Sequence, residues 1–221
     1  MPAICRFMEE AANSQTATLG LSISQVREAD RMWVLTRLAV QVFSAPRLGD
    51  EIRVETWASD RTGGVRAYRD FRMFDAAGGV IAEGASLWLL LDLKTRRLVR
   101  LPESVLAIRH PERVGAEAVD STTLTAPASV TVGEEFKIRW GDLDENGHAN
   151  NIRYIEWVVE TLPVETRRNA VLTSLDIQFL NEGLLGEAVI SASEQTDEGF
   201  RHRLTAGDGR VLAIARTTWQ S

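Results

Sequence analysis

The sequence predicts an α+β protein built of two similar halves, each an antiparallel sheet with one long helix. A helical pattern opens the chain, and amphipathic strands follow it. Periodicity then lapses from residue 110 to residue 129. Residue strings on the two sides of this lapse correspond to one another. We therefore expect an N-terminal half at 1–109, a linker at 110–129 and a C-terminal half at 130–221.

The first half begins with apolar residues at helical spacing, at Ile4, Phe7, Met8, Ala11 and Ala12. Alternating and β-branched residues then predict strands in WVLTRLAVQVF (33–43), DEIRVETWA (50–58), YRDFRMF (68–74) and VIAEGASLWLLL (80–91). The Gly78-Gly79 pair predicts a hairpin between the last two of these strands.

The second half begins with a predicted strand in EFKIRW (135–140), and a polar stretch separates this strand from a helix. The helix is predicted from about Asn151 to Thr161, with Pro163 just beyond its end. Its apolar residues occupy more than one side, which indicates that other structure surrounds it. The remainder of the chain predicts strands again.

The correspondence between the halves is the main argument for a repeat. LTRLAVQV (35–42) lines up with LTSLDIQF (172–179), which lies 137 residues later. VIAEGASLW (80–88) lines up with VLAIARTTW (211–219), at an offset of 131. A strand and a polar loop precede the helix of the second half, whereas the first half begins almost directly at its helix. We therefore expect the first half to lack its opening strand.

Composition restricts the classes of function. A hydrophobic fraction of 44% and a charged fraction of 25% are typical of a globular protein. The net charge of −6 argues against a general nucleic-acid binder, which would need a basic surface. The single cysteine indicates a reducing compartment, so a cytoplasmic location is expected. No apolar run reaches the roughly 20 residues of a membrane-spanning helix, and no cluster has metal-ligand spacing.

The most unusual stretch is GDLDENGHANNIRYIEW (141–157), which concentrates acidic residues, asparagines and a histidine before an apolar run. Extended to WGDLDENGHANNIRYIEWVVETLP, it resembles the signature of the acyl-acyl-carrier-protein (acyl-ACP) thioesterases of plants and bacteria, double hotdog enzymes of fatty-acid synthesis. WVLTRLAVQVFSAPRLGDEIRVETW (33–57) and SLWLLLDLKTRRLVRLPESV (86–105) are similar to first-half segments of that family. The resemblance implies a tandem hotdog, in which an antiparallel sheet wraps two long helices, one per half.

The resemblance also implies a catalytic set in the second half. By position in the motif, the set falls on Asp144, Asn146 and His148, and the stretch QFLNEG places Glu182 at the family's glutamate. The next family position is often cysteine, but this chain has Gly183 there, so no thiol is available at that point.

The residue types suit thioester hydrolysis. A carboxylate such as Glu182 can take a proton from water, with His148 orienting it or sharing the proton, and the sequence does not decide which of them is the base. Free amides where the helix begins, at Asn150 and Asn151, would stabilise an oxyanion and bind substrate. The simpler alternatives are that Asn150 only caps the helix and that Asn146 only forms a turn with Gly147.

The resemblance further places the acyl chain in the first half, near the strands that carry Trp33, Trp57 and Trp88. The acyl carrier protein would dock on a basic cluster, whose alternative interpretation is a solvated turn: Lys94, Arg96, Arg97 and Arg100.

The expected function is therefore hydrolysis of fatty acyl-ACP, with the carrier protein as partner, the acyl thioester as substrate, and no metal or organic cofactor. An acyl-coenzyme A thioesterase is the first alternative, followed by a hotdog dehydratase or a non-catalytic acyl-binding module. The sequence is compatible with a homodimer and fixes neither the oligomeric state nor the acyl chain length.

Overall fold

The computed structural model describes residues 1–110, 112–115 and 122–220, and the chain divides into two compact units. The first unit spans Ala3–Asp120, and the second spans Ser121–Ser221 together with Met1–Pro2. The described residues between 107 and 131 belong to no helix or strand. Residues 111 and 116–121 of the predicted linker lie outside the described part of the chain.

The first unit is a four-stranded antiparallel sheet with the order β2-β3-β4-β1. Its helices and strands are α1 (Pro2–Thr18), α2 (Ile23–Glu28), β1 (Arg31–Val42), β2 (Ile52–Ala58), β3 (Arg66–Asp75), β4 (Val80–Asp92) and α3 (Glu103–Leu106). The predicted hairpin turn is confirmed, since Gly78 has a positive φ of 86° and the Asp75 amide donates to the Gly79 carbonyl over 2.9 Å.

Helix α1 packs closely on the sheet of its unit. Its buried residues are Ile4, Cys5, Met8 and Ala12. A Cβ atom placed on Gly84 of β4 would lie 3.1 Å from the Met8 sulfur, so the Met8 side chain would have to shift to admit a larger residue at this position. The predicted apolar face is rotated slightly, because Phe7 is 45% exposed.

The second unit is a five-stranded antiparallel sheet with the order β6-β9-β8-β7-β5. Its helices and strands are β5 (Val132–Lys137), α4 (Asn151–Glu160), α5 (Val164–Asn169), β6 (Val171–Phe179), β7 (Ala188–Thr196), β8 (Gly199–Ala206) and β9 (Val211–Gln220). A 3₁₀ turn at Trp140–Asp142 follows β5. As predicted, α4 is buried on more than one side, through Ile152, Tyr154, Ile155, Trp157 and Val158.

The irregularities of the two sheets confirm the internal repeat. The β1–β4 ladder shifts register between Leu35 and Arg37, and the β6–β9 ladder shifts between Leu172 and Ser174. These positions are separated by the 137 residues that the sequence predicts. A bulge is a specific backbone feature, so its recurrence at the same offset indicates that the two units share one architecture.

A side-chain contact repeats in the same way. The indole N–H of Trp88 donates to the Ser86 hydroxyl over 2.9 Å, and that of Trp219 donates to the Thr217 hydroxyl over 3.0 Å. The residues of the second pair lie 131 positions after those of the first, which is the second offset found in the sequence. Within the described residues, no helix is long and apolar enough to cross a membrane.

Candidate active site

Asp144 organises the polar loop between β5 and α4. Its Oδ1 accepts hydrogen bonds from the amides of Asn146 (2.8 Å) and His148 (3.2 Å), and its own amide donates to the His148 carbonyl (2.8 Å). An aspartate that accepts backbone amides of the residues after it closes a tight turn. The Asn146 side chain also belongs to this turn, since its Nδ2 donates to Asp144 Oδ2 over 3.4 Å.

The turn presents His148 to Glu182, and both residues lie in the second unit. His148 Nε2 lies 3.3 Å from Glu182 Oε2, and the two side chains are 22% and 40% exposed. The His148 backbone forms an isolated β-bridge with Leu184, which brings the loop alongside the segment that carries Glu182. The pair is therefore within proton-transfer distance and open to a water molecule. Glu182 lies in the loop after β6.

Tyr154 of α4 holds the backbone on both sides of Glu182. Its hydroxyl donates to the Asn181 carbonyl (3.3 Å) and accepts from the Gly183 amide (2.8 Å). Burial raises the pKa of Tyr154 to about 12, so the hydroxyl stays protonated and can do both. The ring of Tyr154 is buried, and the sequence did not predict the contacts of its hydroxyl. Its position inside the motif was the available signal.

Arg210, from the β8–β9 turn, anchors the same segment. Its Nη1 donates to the Glu182 carbonyl (2.9 Å), its Nη2 to Glu187 (2.5 Å) and its Nε to Asp208 (2.7 Å). The hydrogen bond to Asp208 is the main cause that raises the pKa of Arg210, so the guanidinium is permanently charged. No motif in the sequence pointed to this residue.

Gly183 lies in a crowded position. A Cβ atom there would lie 2.6 Å from Ile138 Cδ1 and 3.2 Å from the Tyr154 hydroxyl. The glycine therefore allows Tyr154 to approach the backbone next to Glu182. A cysteine at this position would have to displace one of these two neighbours.

The amides at the start of α4 are less free than the sequence predicted. Asn150 is the N-cap, and its Oδ1 accepts from the Ile152 amide over 2.8 Å. The amides of Ala149, Asn150 and Arg153 donate to the carbonyls of Gly183, Asp142 and Asn150, respectively. Of the amides of residues 149–153, all of which the structure describes, the Asn151 amide alone has no acceptor among the described residues.

The corresponding loop of the first unit has a matching hydrogen bond but no acidic residue at the position equivalent to Glu182. The Arg47 amide donates to the Asp50 carboxylate over 2.7 Å, and the equivalent Leu184 amide donates to the Glu187 carboxylate over 2.9 Å. Subtracting the offset of 137 from Glu182 gives Ala45, which has no acid–base group. The repeated scaffold therefore carries a histidine–carboxylate pair in the second unit.

The first unit contains a mostly apolar cavity of about 80 Å³, bordered by α1 and the sheet. Trp33 and Trp88 line it, as do Leu19, Leu21 and Arg69. Trp57, which the sequence predicted for this site, does not line the cavity. It pairs in register with Asp70 of β3, so the two side chains share one face of the sheet. Arg69, next to Asp70 in the strand, projects from the other face, on which the cavity lies. The guanidinium groups of Arg113 and Arg72 lie 5.1 Å and 5.9 Å from the Trp57 ring centroid.

The basic cluster forms the turn after β4. The Asp92 carboxylate accepts the amides of Lys94 (3.1 Å) and Thr95 (2.8 Å), and the hydrogen bond from Thr95 is the main cause that lowers the pKa of Asp92. The Lys94 ammonium is paired with Asp30 over 2.6 Å, so its charge is partly neutralised locally. Arg96, Arg97 and Arg100 are exposed.

His202 is a buried residue outside this site. Its Nδ1 lies 2.7 Å from the Ser193 hydroxyl and its Nε2 lies 2.8 Å from the Thr217 hydroxyl. Burial lowers the pKa of His202 to about 3, so the ring is neutral and structural. Among the described residues, no group of three or more His, Cys, Asp or Glu side chains could hold a metal ion.

Family models match both halves of the chain. The acyl-ACP thioesterase N-terminal domain matches residues 1–109, and the acyl-ACP thioesterase C-terminal domain matches residues 126–221. The chain is 29% identical, over 99% of its length, to the palmitoyl-acyl carrier protein thioesterase, chloroplastic, of Arabidopsis thaliana. It covers 58% of that relative and 48% of an acyl-[acyl-carrier-protein] hydrolase, chloroplastic, of Cuphea viscosissima. The chain thus spans about half the length of these curated relatives.

Solved structures share the fold over nearly the whole chain. An acyl-ACP thioesterase from Bacteroides thetaiotaomicron superposes with a TM-score of 0.88 at 20% identity, covering 100% of this chain and 89% of that one. The 12:0-ACP thioesterase from Umbellularia californica superposes with a TM-score of 0.86 at 26% identity, covering 99% and 89%. The predicted α+β tandem hotdog fold is therefore confirmed.

Proposed function

The chain belongs to the acyl-ACP thioesterase family, and on this premise we propose that it hydrolyses the thioester of fatty acyl-ACP and releases a free fatty acid, which ends chain elongation. The observation that carries the proposal is the 3.3 Å approach of His148 Nε2 to Glu182 Oε2 within one unit. A carboxylate and an imidazole at this distance form an acid–base pair that can activate water.

The reaction follows from the chemistry of a thioester. The Glu182–His148 pair takes a proton from a water molecule, whose oxygen attacks the carbonyl carbon. The carbonyl oxygen becomes an oxyanion in the tetrahedral intermediate. The C–S bond then breaks, and the pair returns the proton to the departing thiolate. General acid–base help of this kind contributes roughly 10²–10⁴-fold in rate.

The oxyanion needs donors near the pair. We assign this role to the unengaged Asn151 amide, with the Nδ2 group of Asn146 as a further donor for water or the carbonyl. Asn150 contributes mainly as the helix cap, since its Oδ1 is used by Ile152. Asp144 acts as a positioning residue, because its carboxylate is occupied by the amides of the turn.

The cavity of the first unit is the proposed site of the acyl chain, with Trp33 and Trp88 in its lining. Arg96, Arg97 and Arg100 are the proposed docking residues for the acidic carrier, and Lys94 assists them with a charge partly neutralised by Asp30. The single cysteine supports a cytoplasmic site of action, although the plant relatives are named as chloroplastic. A homodimer remains the proposed assembly.

The test is a thiol-release assay on carrier-linked saturated acyl groups of graded length. Wild type is compared with Glu182→Gln, which keeps the shape of the side chain but removes the base, and with Glu145→Gln, an exposed residue of the same loop. We expect kcat to fall at least about 100-fold for Glu182→Gln and to stay unchanged for Glu145→Gln. Equal activity of all three proteins would refute the catalytic role. A dehydratase or an acyl-binding module would release no thiol from any substrate.

A second assay separates the carrier from coenzyme A. The pair Arg96→Glu with Arg97→Glu should raise KM for carrier-linked substrate and leave coenzyme A esters unaffected, because only the carrier contacts the turn. The pair Arg47→Glu with Arg168→Glu changes the net charge equally at other exposed positions. If both pairs act alike, or if coenzyme A esters are hydrolysed more efficiently than carrier esters, the docking proposal fails.

A further inference from the structure

We propose that the cavity of the first unit selects acyl groups that carry an oxygen function on the chain, a hydroxyl, keto or carboxyl group away from the thioester, and that Arg69 and Trp33 determine this specificity. The inference rests on the proposed function, since it names the substrate class of the same enzyme. It is based on the hydrogen-bond donors that line an otherwise apolar cavity.

Arg69 contributes a charged donor to the cavity lining. Its Nη1 donates to the Gln15 side chain and to the Thr56 hydroxyl (3.0 Å), both of which are neutral acceptors. Among the described residues, its Nε and Nη2 groups have no acceptor. Burial lowers the pKa of Arg69 to about 10, so the group is poorly solvated yet protonated at neutral pH.

Asp70 does not provide the missing hydrogen-bond acceptor. Adjacent residues of a strand project to opposite faces, so the Asp70 carboxylate lies away from the cavity. Its Oδ1 accepts from Arg61 Nη2 over 2.9 Å. Asp70 therefore acts on Arg69 through its charge, and no hydrogen bond joins the two side chains in the described part of the chain. The guanidinium of Arg69 is half-buried at the cavity wall, so its remaining N–H groups can donate to an acceptor on a ligand.

Trp33 supplies an independent donor to the same cavity. Its indole Nε1 is buried and has no hydrogen-bond partner among the described residues. Buried polar groups are rarely left unsatisfied, and a polar atom of a bound ligand can supply the missing acceptor. An indole N–H is a donor only, as is a guanidinium, so both residues require the same complement: an oxygen with lone pairs.

The repeat shows that the fold does not need a guanidinium here. Arg69 pairs with Ser86 in the β3–β4 ladder, and the equivalent residue Phe200 pairs with Thr217 in the β8–β9 ladder. Phe200 is buried, with 8% exposure. One register position thus holds an apolar ring in one unit and a cation in the other. The cation is explained by what the cavity binds.

The rest of the lining defines the remainder of the ligand. Leu19, Leu21, Ile23, Val105 and Ile108 provide apolar walls that suit methylene groups. The cavity of about 80 Å³ is small beside typical ligand pockets of about 300–1,000 Å³, so it holds a short segment of chain. An unsubstituted hydrocarbon would leave both donors unsatisfied, whereas an oxygen near the end of a short chain would satisfy them.

The experiment compares three carrier-linked acyl groups of equal length: unsubstituted, hydroxylated near the far end, and terminated by a carboxyl group. The kcat/KM of each is measured for wild type, Arg69→Met and Trp33→Phe. Arg72→Met is the matched control, because Arg72 lies on the same strand but on the opposite face, where it pairs with Glu83 over 2.7 Å. Wild type should favour at least one oxygenated substrate by about 10-fold or more.

Arg69→Met should lower the ratio of oxygenated to unsubstituted kcat/KM by about 10–100-fold, and Trp33→Phe by a smaller factor. Arg72→Met should leave the ratio unchanged. The hydroxyl and carboxyl arms show which oxygen function is bound. The inference is overturned if wild type has no preference, or if Arg69→Met lowers all three values equally, which would mean that Arg69 only bridges Gln15 and Thr56.

Calorimetric titration with the free hydroxylated, dicarboxylic and plain fatty acids keeps the two proposals apart. If wild type releases no thiol from any substrate, the proposed hydrolysis fails, while selective binding of an oxygenated acid would still support the cavity's preference. If thiol is released but the plain acid binds as tightly as the oxygenated acids, the hydrolase proposal stands and this inference fails.

Discussion

Replacing Tyr154 by Phe tests whether the Glu182 segment is held in place by a hydroxyl group. The ring is buried and would remain, so the change deletes a single oxygen from the core. That oxygen accepts from the Gly183 amide (2.8 Å) and donates to the Asn181 carbonyl (3.3 Å), the residues on either side of Glu182. Tyr154→Phe therefore releases the segment that carries Glu182 at two points without altering the Glu182 side chain.

The size of the effect follows from these two contacts. The shorter one matters more, because its loss leaves the Gly183 amide without an acceptor in a buried position. An unsatisfied buried group costs about 1–3 kcal/mol, so the free energy of unfolding should fall by this amount. A misplacement of about 1 Å in a catalytic group can cost about 10²-fold in rate. We therefore expect kcat to fall about 10–100-fold, with KM nearly constant because the cavity of the first unit, the proposed acyl site, is untouched.

The assay measures kcat and KM by thiol release, alongside urea unfolding of the same protein. Ser193→Ala is the matched control, since it removes another buried hydroxyl of the second unit, one that contacts His202 over 2.7 Å. Ser193→Ala should lose similar stability and keep its kcat. A kcat for Tyr154→Phe within twofold of wild type, or an equal loss in Ser193→Ala, would refute the positioning role.

Three further predictions concern stability. The pKa of His202 is lowered to about 3 in the folded protein, whereas in the unfolded chain His202 takes up a proton below about pH 6.5. The free energy of unfolding should therefore be constant above this pH and fall below it, by about 2 kcal/mol at pH 5. In urea unfolding at pH 5.0 and 7.5, the variant His202→Gln should not show this decrease. Gly183→Cys should destabilise the protein by about 1–3 kcal/mol in thermal unfolding, because its side chain would contact Ile138. Adding Ile138→Val should restore part of the lost stability. If the destabilisation of the double variant equals the sum of the two single variants, the side chains at 183 and 138 do not clash. Asn150→Ala should cost about 1 kcal/mol in urea unfolding through loss of the α4 cap, whereas an unchanged midpoint would show that the cap contributes nothing.

Features that depend on local sequence were predictable. The period of apolar residues predicted helices at about 4–12 and 151–161, where the structure has helices at 2–18 and 151–160, and the glycine pair at 78–79 predicted a hairpin. The repeat was readable because two offsets preserve whole strings, and the same offsets recur in bulges and indole contacts. The loop motif predicted His148 and the stretch QFLNEG predicted Glu182, both through the family resemblance, and the structure places the two side chains 3.3 Å apart.

The contacts that tertiary structure decided join residues far apart in the chain. Tyr154 reaches Gly183 and Arg210 reaches Glu182 only because strand register brings a helix and a turn to one loop. Strand alternation, counted from that register, sends Trp57 to one face of the sheet and Arg69 to the other. Sequence periodicity records that a residue is apolar or charged, but the face, the neighbour and the unsatisfied donor arise when elements pack, since hydrogen bonds and burial depend on distances that only the folded chain fixes.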